Sequence, residues 1–146
     1  MIGVAGLELL PAPARRRGLI ERVLRLTLKT EKAKVPGFIN VVFVDRKKML
    51  SLNKQFLQHT HDTDVIAFNY DGAPEGAKSP FGDIFISAYQ ARLQAEQLGH
   101  SSLEETLTLV VHGTLHLLGY DDATPKQKAV MLKKQSKILD ALSAAR

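Results

Sequence analysis

Residues 112–122 read HGTLHLLGYDD, a sequence that predicts a helix ending in a tight turn. Side chains four positions apart lie on one helical face, roughly 5 to 6 Å apart at Cβ, so the imidazoles of His112 and His116 can bind one cation. Gly119 follows three residues later, where a glycine in the left-handed conformation ends a helix and reverses the chain. The reversal carries Asp122 back toward the histidines, which predicts a metal site.

The spacing H-x3-H-x5-D supplies two imidazoles and one carboxylate, a ligand set that suits zinc and leaves a fourth position open for chemistry. The sequence therefore favours a zinc hydrolase. Asp121 competes with Asp122 for the third ligand position; Asp122 is preferred, and spacing alone does not separate them. Histidines at this spacing also occur as partly buried, hydrogen-bonded pairs, but the glycine turn and the carboxylate favour a metal.

The composition is that of a soluble globular protein. The 146 residues are 45% hydrophobic, enough for a single domain at residues 1–146. No cysteine is present, which excludes disulfides and thiolate metal sites. The N-terminal basic cluster follows the apolar stretch, the reverse of a secretory signal, and no stretch approaches membrane-spanning length. We expect a cytoplasmic protein with no membrane or nucleotide-cofactor partner and make no prediction of its oligomeric state.

The net charge of +5 is unevenly distributed along the chain. Residues 15–48 contain eleven Lys and Arg against three acids, residues 49–123 contain three against ten, and residues 124–146 contain six against one. The segment with the candidate ligands is thus acidic, whereas both flanks are basic. Basic flanks favour a polyanion such as nucleic acid as the partner, although such lysines also simply solvate helix faces.

Hydrophobic periodicity and turn residues divide the remaining chain into helices and strands. We predict a helix at 16–31, a strand at 38–45, a helix at 46–57, strands at 63–70 and 82–89, a helix from Ser101 or Ser102 to about Leu118, and a helix from Thr124 to about Leu142. Residues 71–81 are predicted to form an irregular loop that can line a site. The fold class is α+β, a small mixed β-sheet packed against several helices in a zinc-hydrolase-like domain.

Three motifs resemble one known family. The YbeY family of bacterial rRNA maturation factors has the signature HGxLHLxGYDH, which HGTLHLLGYDD closely resembles. Its segment LNxxYRxxDxPTDVLSF resembles LNKQFLQHTHDTDVIAFNY at residues 52–70, and its strand GDIxIS is similar to GDIFIS at residues 82–87. The motifs occur in the same order over residues 52–122, so the chain is identified as a member of this family.

The resemblance implies a zinc-dependent, single-strand-specific endoribonuclease that acts in small-subunit rRNA 3′-end maturation and ribosome quality control. It implies one Zn²⁺ ion as cofactor, with ribosomal RNA or the small ribosomal subunit as partner. The family's first two ligands fall on His112 and His116, and the third falls on Asp122, where the family usually has histidine. An aspartate ligand adds negative charge and makes the ion a weaker Lewis acid, so retuned chemistry is expected.

Two further positions depart from the family pattern. The family's arginine falls at Leu57 and the serine of its VLSF falls at Ala67. Leucine cannot reproduce bidentate phosphate binding by arginine, which argues against efficient RNA cleavage. A replacement charge could come from Arg46, Lys47, Lys48 or Lys54. No catalytic role is assigned to the remaining candidates, which are His59, His61, Asp64, Asp83 and His100.

Three function classes follow. The first is a metal-dependent endoribonuclease, a hydrolase acting on phosphodiester bonds, and the second is a non-catalytic ribosome assembly or RNA-binding factor that retains the metal fold. The third is a metalloprotease, which Gly113 argues against because zinc proteases place a glutamate base directly after the first histidine. Inside a helix this glycine costs about 1 kcal/mol relative to alanine. Either a functional need or close packing against a strand would explain its presence.

Overall fold

The structure is a computed structural model that describes residues 2–57, 63–70 and 80–145. Within these residues the chain forms four strands and five α-helices. The strands are β1 (Ile2–Ala5), β2 (Phe38–Val44), β3 (Val65–Asn69) and β4 (Pro80–Ser87). The helices are α1 (Arg17–Thr30), α2 (Arg46–Leu52), α3 (Ala88–Leu98), α4 (Ser102–Leu117) and α5 (Pro125–Ala145). None of these helices has the length and apolar character needed to span a membrane.

The four strands form one mixed sheet in the order β1-β2-β4-β3. Strands β1, β2 and β4 run parallel, and β3 lies antiparallel to β4 at the edge. Parallel neighbours require crossover connections, which α1 and α2 help to provide. The predicted α+β class with a small mixed sheet is therefore confirmed.

Side-chain alternation along the strands gives the sheet two buried faces. On one face, α4 packs on β3 and β4, α1 packs on β1, and α5 packs on α1 and α4. The central strands contribute Ile39, Val41, Phe43, Ile84 and Ile86 to this main core. On the other face, a smaller cluster consists of Val44, Met49, Leu52 and Ile66, where α2 packs over β4 and its neighbours β2 and β3. Full burial of each such side chain contributes roughly 1.5–3 kcal/mol.

Several predicted element boundaries correspond to observed caps. Ser101, the first of the two predicted starts of α4, forms a capping box with Glu104, with bonds of 3.0 and 3.2 Å. Thr124 and Gln127 exchange the equivalent pair of bonds, at 3.0 and 3.1 Å, before α5. Both helices therefore begin where their polar side chains satisfy free backbone groups.

The sequence patterns did not predict β1 or α3. For two other elements, the predicted C-terminal end lies beyond the observed one. The strand predicted at 82–89 ends at Ser87, because its hydroxyl accepts a hydrogen bond from Gln90 N (3.1 Å) and caps α3. The helix predicted at 46–57 is α-helical only to Leu52 and continues as a π-helical turn at Asn53–Leu57. Strand β1 has four residues and depends on its pairing with β2. Most of the predicted loop at 71–81 lies outside the described residues.

Candidate metal centre

The end of α4 reverses the chain as the sequence predicted. Gly119 adopts φ +102°, the left-handed region that favours glycine. Tyr120 N donates to Leu115 O and Gly119 N donates to His116 O, both at 3.0 Å. These two bonds form a Schellman motif, which turns the chain back along the helix and carries Asp122 toward the histidines.

The C-terminal half of α4 lies directly on the sheet. A Cβ atom at Gly113 would lie 2.5 Å from Ile84 Cγ2 and 2.9 Å from Val65 Cγ1. One turn further on, Asn69 Nδ2 of β3 donates to Leu117 O at 2.9 Å. Close packing against strands therefore explains this glycine, one of the two explanations that the sequence left open. The same contacts place the histidines of α4 beside β3.

Three donor atoms converge at this turn, one each from His112, His116 and Asp122. The two Nε2 atoms lie 3.0 Å apart, and Asp122 Oδ2 lies 3.3 Å from that of His112 and 3.5 Å from that of His116. A tetrahedral zinc ion with bonds of about 2.0–2.1 Å would separate its donors by about 3.3 Å. The donor separations therefore fit a tetrahedral ion.

Hydrogen bonds on the far side of each ring orient these donors. His112 Nδ1 lies 2.5 Å from Gln135 Oε1, and His116 Nδ1 lies 2.9 Å from Tyr120 O. Both oxygens can only accept, so each Nδ1 carries a hydrogen and each ring turns its Nε2 toward Asp122. Two imidazole nitrogens and a carboxylate oxygen are good ligands for zinc, so this donor set fits a metal ion.

Asp121 does not join the cluster, although it competed with Asp122 in the sequence. Its Oδ1 accepts a hydrogen bond from Asp122 N at 2.8 Å. The structure thus brings the three preferred residues together as a group that could hold a metal ion, and Asp122 stays the predicted third ligand.

The turn after α4, which carries Asp122, is held by hydrogen bonds to residues that the sequence patterns did not identify. Tyr120 donates its hydroxyl to Glu31 Oε1 at 2.5 Å, and Lys134 Nζ donates to Glu31 Oε2 at 3.1 Å. Lys134 also lies 5.0 Å from the centroid of the Tyr120 ring. Its contacts with Tyr120 and, secondarily, with Glu31 raise the pKa of Lys134 above its ordinary value. This network ties the turn to α1 and α5.

The cluster opens into a cleft of about 570 Å³. The described residues that line it are Asn53, residues 63–67, His112, His116 and residues 119–122. Besides Asp122 they include two further carboxylates, Asp64 and Asp121, and they include no Lys or Arg. A polyanionic substrate would therefore need cations from outside this described lining.

Backbone groups of β3 also face the cleft. Ser87 N donates to Asp64 O and Tyr70 N donates to Phe81 O, both at 2.9 Å, so the even-numbered residues of β3 bond to β4. The intervening residues Val65 and Ala67 direct their N–H and C=O groups away from β4, toward the open edge of the sheet. Both residues line the cleft, which places polar backbone at its wall.

The other candidates from the sequence lie apart or have structural partners. Asp64 lines the cleft, with its Oδ2 accepting a hydrogen bond from Gln94 Nε2 (3.1 Å). Asp83 accepts hydrogen bonds from Tyr70 and Asn40, and its bond raises the pKa of Tyr70 to about 12. His100 Nδ1 lies 3.1 Å from Glu105 Oε2, at the opposite end of α4 from the cluster. His59 and His61 lie outside the described residues.

Replacing Gln135 with leucine is expected to lower metal affinity about 10- to 100-fold, the usual cost of losing a partner behind a metal-bound histidine. The change removes the acceptor of His112 Nδ1–H and frees the ring to turn. Competition titration against a zinc chelator measures the effect. Gln135→Glu, which keeps an acceptor at the same position, should retain or raise the affinity. Equal affinities for leucine and glutamate would show that this bond does not orient the ring.

Comparison with known proteins identifies the family. The family model described as Endoribonuclease YbeY matches residues 11–143. The Endoribonuclease YbeY of Elusimicrobium minutum is 45% identical over 104 residues, which cover 70% of this chain and 73% of that protein. That of Bacillus licheniformis is 37% identical over 142 residues, which cover 92% and 90%.

A solved structure shows a similar fold. The solution structure of a protein from Thermotoga maritima superposes with a TM-score of 0.65 at 26% sequence identity, and the match covers 99% of this chain and 91% of that one. The similarity of fold therefore extends over nearly the whole length of both chains. The three motifs, the family model and the identity over most of the chain agree: this chain belongs to the YbeY endoribonuclease family.

Proposed function

We propose that this protein is a zinc-dependent endoribonuclease that cuts single-stranded RNA, acting in the cytoplasm on ribosomal RNA of the small subunit. We place the activity in 3′-end maturation and ribosome quality control. The observation that carries the proposal is the convergence of His112, His116 and Asp122 at a cleft, in a chain of the YbeY endoribonuclease family.

The chain's own residues support metal-dependent hydrolysis. Gln135 and Tyr120 hold the two imidazoles with their Nε2 atoms toward Asp122, and the donor separations suit a tetrahedral ion. Zinc, when bound, supplies Lewis acidity toward water and a phosphoryl oxygen. Cobalt, nickel and iron accept similar ligands, so zinc is part of the proposal and is tested with it.

A second candidate is a ribosome assembly or RNA-binding factor that keeps the metal and does not cut. The described cleft lining favours it, because that lining contains three aspartates and no cation to hold the scissile phosphate. In addition, Leu57 and Ala67 occupy the positions where the YbeY family's motif has arginine and serine. Peptidase activity is disfavoured because Gly113, packed on the sheet, offers no general base beside His112.

Metal removal and reconstitution test the proposal. We expect zinc-loaded protein to cut a single-stranded rRNA fragment, to lose this activity in a chelator and to regain it with zinc, while leaving a duplex of the same sequence intact. Elemental analysis of the native protein identifies the ion. If the zinc-loaded protein cuts nothing while an Asp122→His, Leu57→Arg variant cuts the same RNA, the second candidate replaces the first.

A further inference from the structure

Phe56 is a large aromatic side chain that the fold leaves on the surface. It is 55% exposed and lies on the π-helical turn Asn53–Leu57 that extends α2. Its ring meets that of Phe68 edge to face, with centroids 5.3 Å apart. Phe68 in turn packs edge to face on Phe85 at 5.8 Å. The exposed ring is thus fixed in place by two aromatic side chains of the sheet. It also lies on a π-helical turn, and such turns often occur at functional sites.

The π-helical turn that carries Phe56 reaches the metal cleft. Asn53, three residues earlier on the same turn, is buried and lines the cleft. Phe68 belongs to β3, whose neighbouring residues Ile66 and Ala67 line the same cleft. A ligand that extends out of the cleft along β3 therefore reaches the exposed ring.

The helix and turn that carry the ring are basic, whereas the cleft is acidic. Lys47, Lys48 and Lys54 are exposed on α2 and the turn that follows it. Asp45, directly before α2, caps that helix by accepting a hydrogen bond from Lys48 N at 2.7 Å. The described cleft lining has three aspartates and no Lys or Arg. Charge complementarity therefore places the phosphates that flank the scissile one over α2 and its π-helical turn.

We propose that Phe56 is a nucleobase-stacking subsite for single-stranded RNA, with Lys54 binding an adjacent phosphate. The inference rests on the proposed nuclease function and adds a binding element to it. Unpaired bases stack on exposed aromatic side chains beside cationic grooves, whereas bases in a duplex are not available for stacking. A protein partner typically binds a continuous apolar patch. A single exposed ring on a turn that also carries Lys54 instead suits a nucleobase and its phosphate.

Binding measurements on the full chain test this subsite separately from cleavage. The fluorescence anisotropy of a labelled single-stranded RNA is measured in a chelator, where metal-dependent cutting cannot occur. We expect Phe56→Ala to weaken binding about 5- to 100-fold, the range for losing one base-aromatic stack. Phe56→Trp should retain binding, and Phe56→Leu, which keeps an apolar contact for Phe68, should behave as alanine does. Leu132→Ala, at an equally open position of α5 with 61% exposure, is the matched control and should bind as wild type.

Single abasic positions moved along the RNA show whether a base is what Phe56 binds. One position should weaken wild-type binding by the same factor and leave Phe56→Ala unaffected. Lys54→Gln should reduce the salt-dependence slope by about 0.7, the value for one phosphate contact on a single strand. Wild-type affinity in Phe56→Ala, equal affinity for all abasic RNAs, or the same Phe56 dependence with duplex RNA or an acidic peptide would overturn the subsite.

The two proposals fail in distinguishable ways. Zinc-dependent cleavage that is unchanged in Phe56→Ala, with unchanged RNA affinity, would remove the subsite and leave the nuclease function in place. Phe56-dependent binding of single strands by a zinc-loaded protein that cuts no RNA would keep the subsite and remove the nuclease function.

Discussion

Replacing His116 with alanine is expected to abolish stoichiometric metal binding and, with it, RNA cleavage. The change removes one of three donors from a cluster whose Nε2 atoms are 3.0 Å apart. If three protein ligands share a binding free energy of about 10 kcal/mol, one ligand is worth about 3 kcal/mol, or roughly 100-fold in affinity. Metal content after equilibrium dialysis against a zinc buffer measures the loss.

His100 supplies the matched control for this substitution. Its side chain is 42% exposed and contacts Glu105 at the opposite end of the same helix. His100→Ala should therefore keep the full metal content and the wild-type affinity. Zinc affinity within about tenfold of wild type in His116→Ala would show that the three-residue cluster is not the metal centre, because a true ligand is worth more than that.

The two neighbouring aspartates allow a sharper form of the same test. Only Asp122 directs a carboxylate oxygen at both imidazoles, whereas Asp121 accepts the Asp122 N–H. Asp122→Ala should lose metal while Asp121→Ala retains it. Bound zinc also stabilises the fold, by about 2.7 kcal/mol at a free concentration 100 times the dissociation constant. A zinc-induced rise in melting temperature should thus persist in Asp121→Ala and vanish in Asp122→Ala, and the reverse pattern would exchange their roles.

The donor cluster could be predicted from the sequence because its geometry is local. The i, i+4 spacing of two histidines, a glycine that ends the helix and a carboxylate three residues later all depend on backbone conformations within eleven residues. Periodicity and capping residues likewise predicted α1, α4 and α5 to within a few residues. Local rules sufficed for these elements, but they missed α3, although its cap at Ser87 is also local.

The supports of the cluster could not be predicted in this way, because their partners are distant in the sequence. Gln135 reaches His112 from 23 residues away and Glu31 reaches Tyr120 from 89 residues away. Neither contact follows a periodic spacing. Strand β1 is similar, since its four residues carry little pattern of their own and take their conformation from pairing with β2. Tertiary packing, not local propensity, decides these features.

Replacing Gly113 with valine is expected to destabilise the fold by about 3 kcal/mol and to weaken metal binding as well. Valine adds three carbons at a point where even a Cβ would lie 2.5 Å from Ile84 and 2.9 Å from Val65. Both neighbours are β-branched and stiff at χ1, so they yield little. Helix α4 must then move away from the sheet, carrying the adjacent His112 with it. Urea unfolding measures the first effect and zinc competition the second.

Gly18 is the matched control for the effect of replacing a helical glycine with valine on the backbone itself. It also lies within a helix, α1, but a Cβ there would meet no atom within 4 Å. Valine is a slightly better helix former than glycine, so Gly18→Val should change stability by less than about 0.5 kcal/mol. A similar destabilisation at both positions would attribute the loss at residue 113 to the backbone rather than to its contact with the sheet.

A double-mutant cycle with Ile84 separates contact from propensity. Ile84→Leu conserves volume, moves the branch away from Cβ and removes the Cγ2 atom nearest residue 113, at a cost usually below about 1.5 kcal/mol. If steric contact causes the loss, Gly113→Val should cost less in the Ile84→Leu background, by roughly 1 kcal/mol or more. Zinc affinity should recover in parallel, because the helix that carries both histidines settles back onto the sheet. Additive costs with no recovery would mean that Gly113 is needed for some reason other than the approach of α4 to β4.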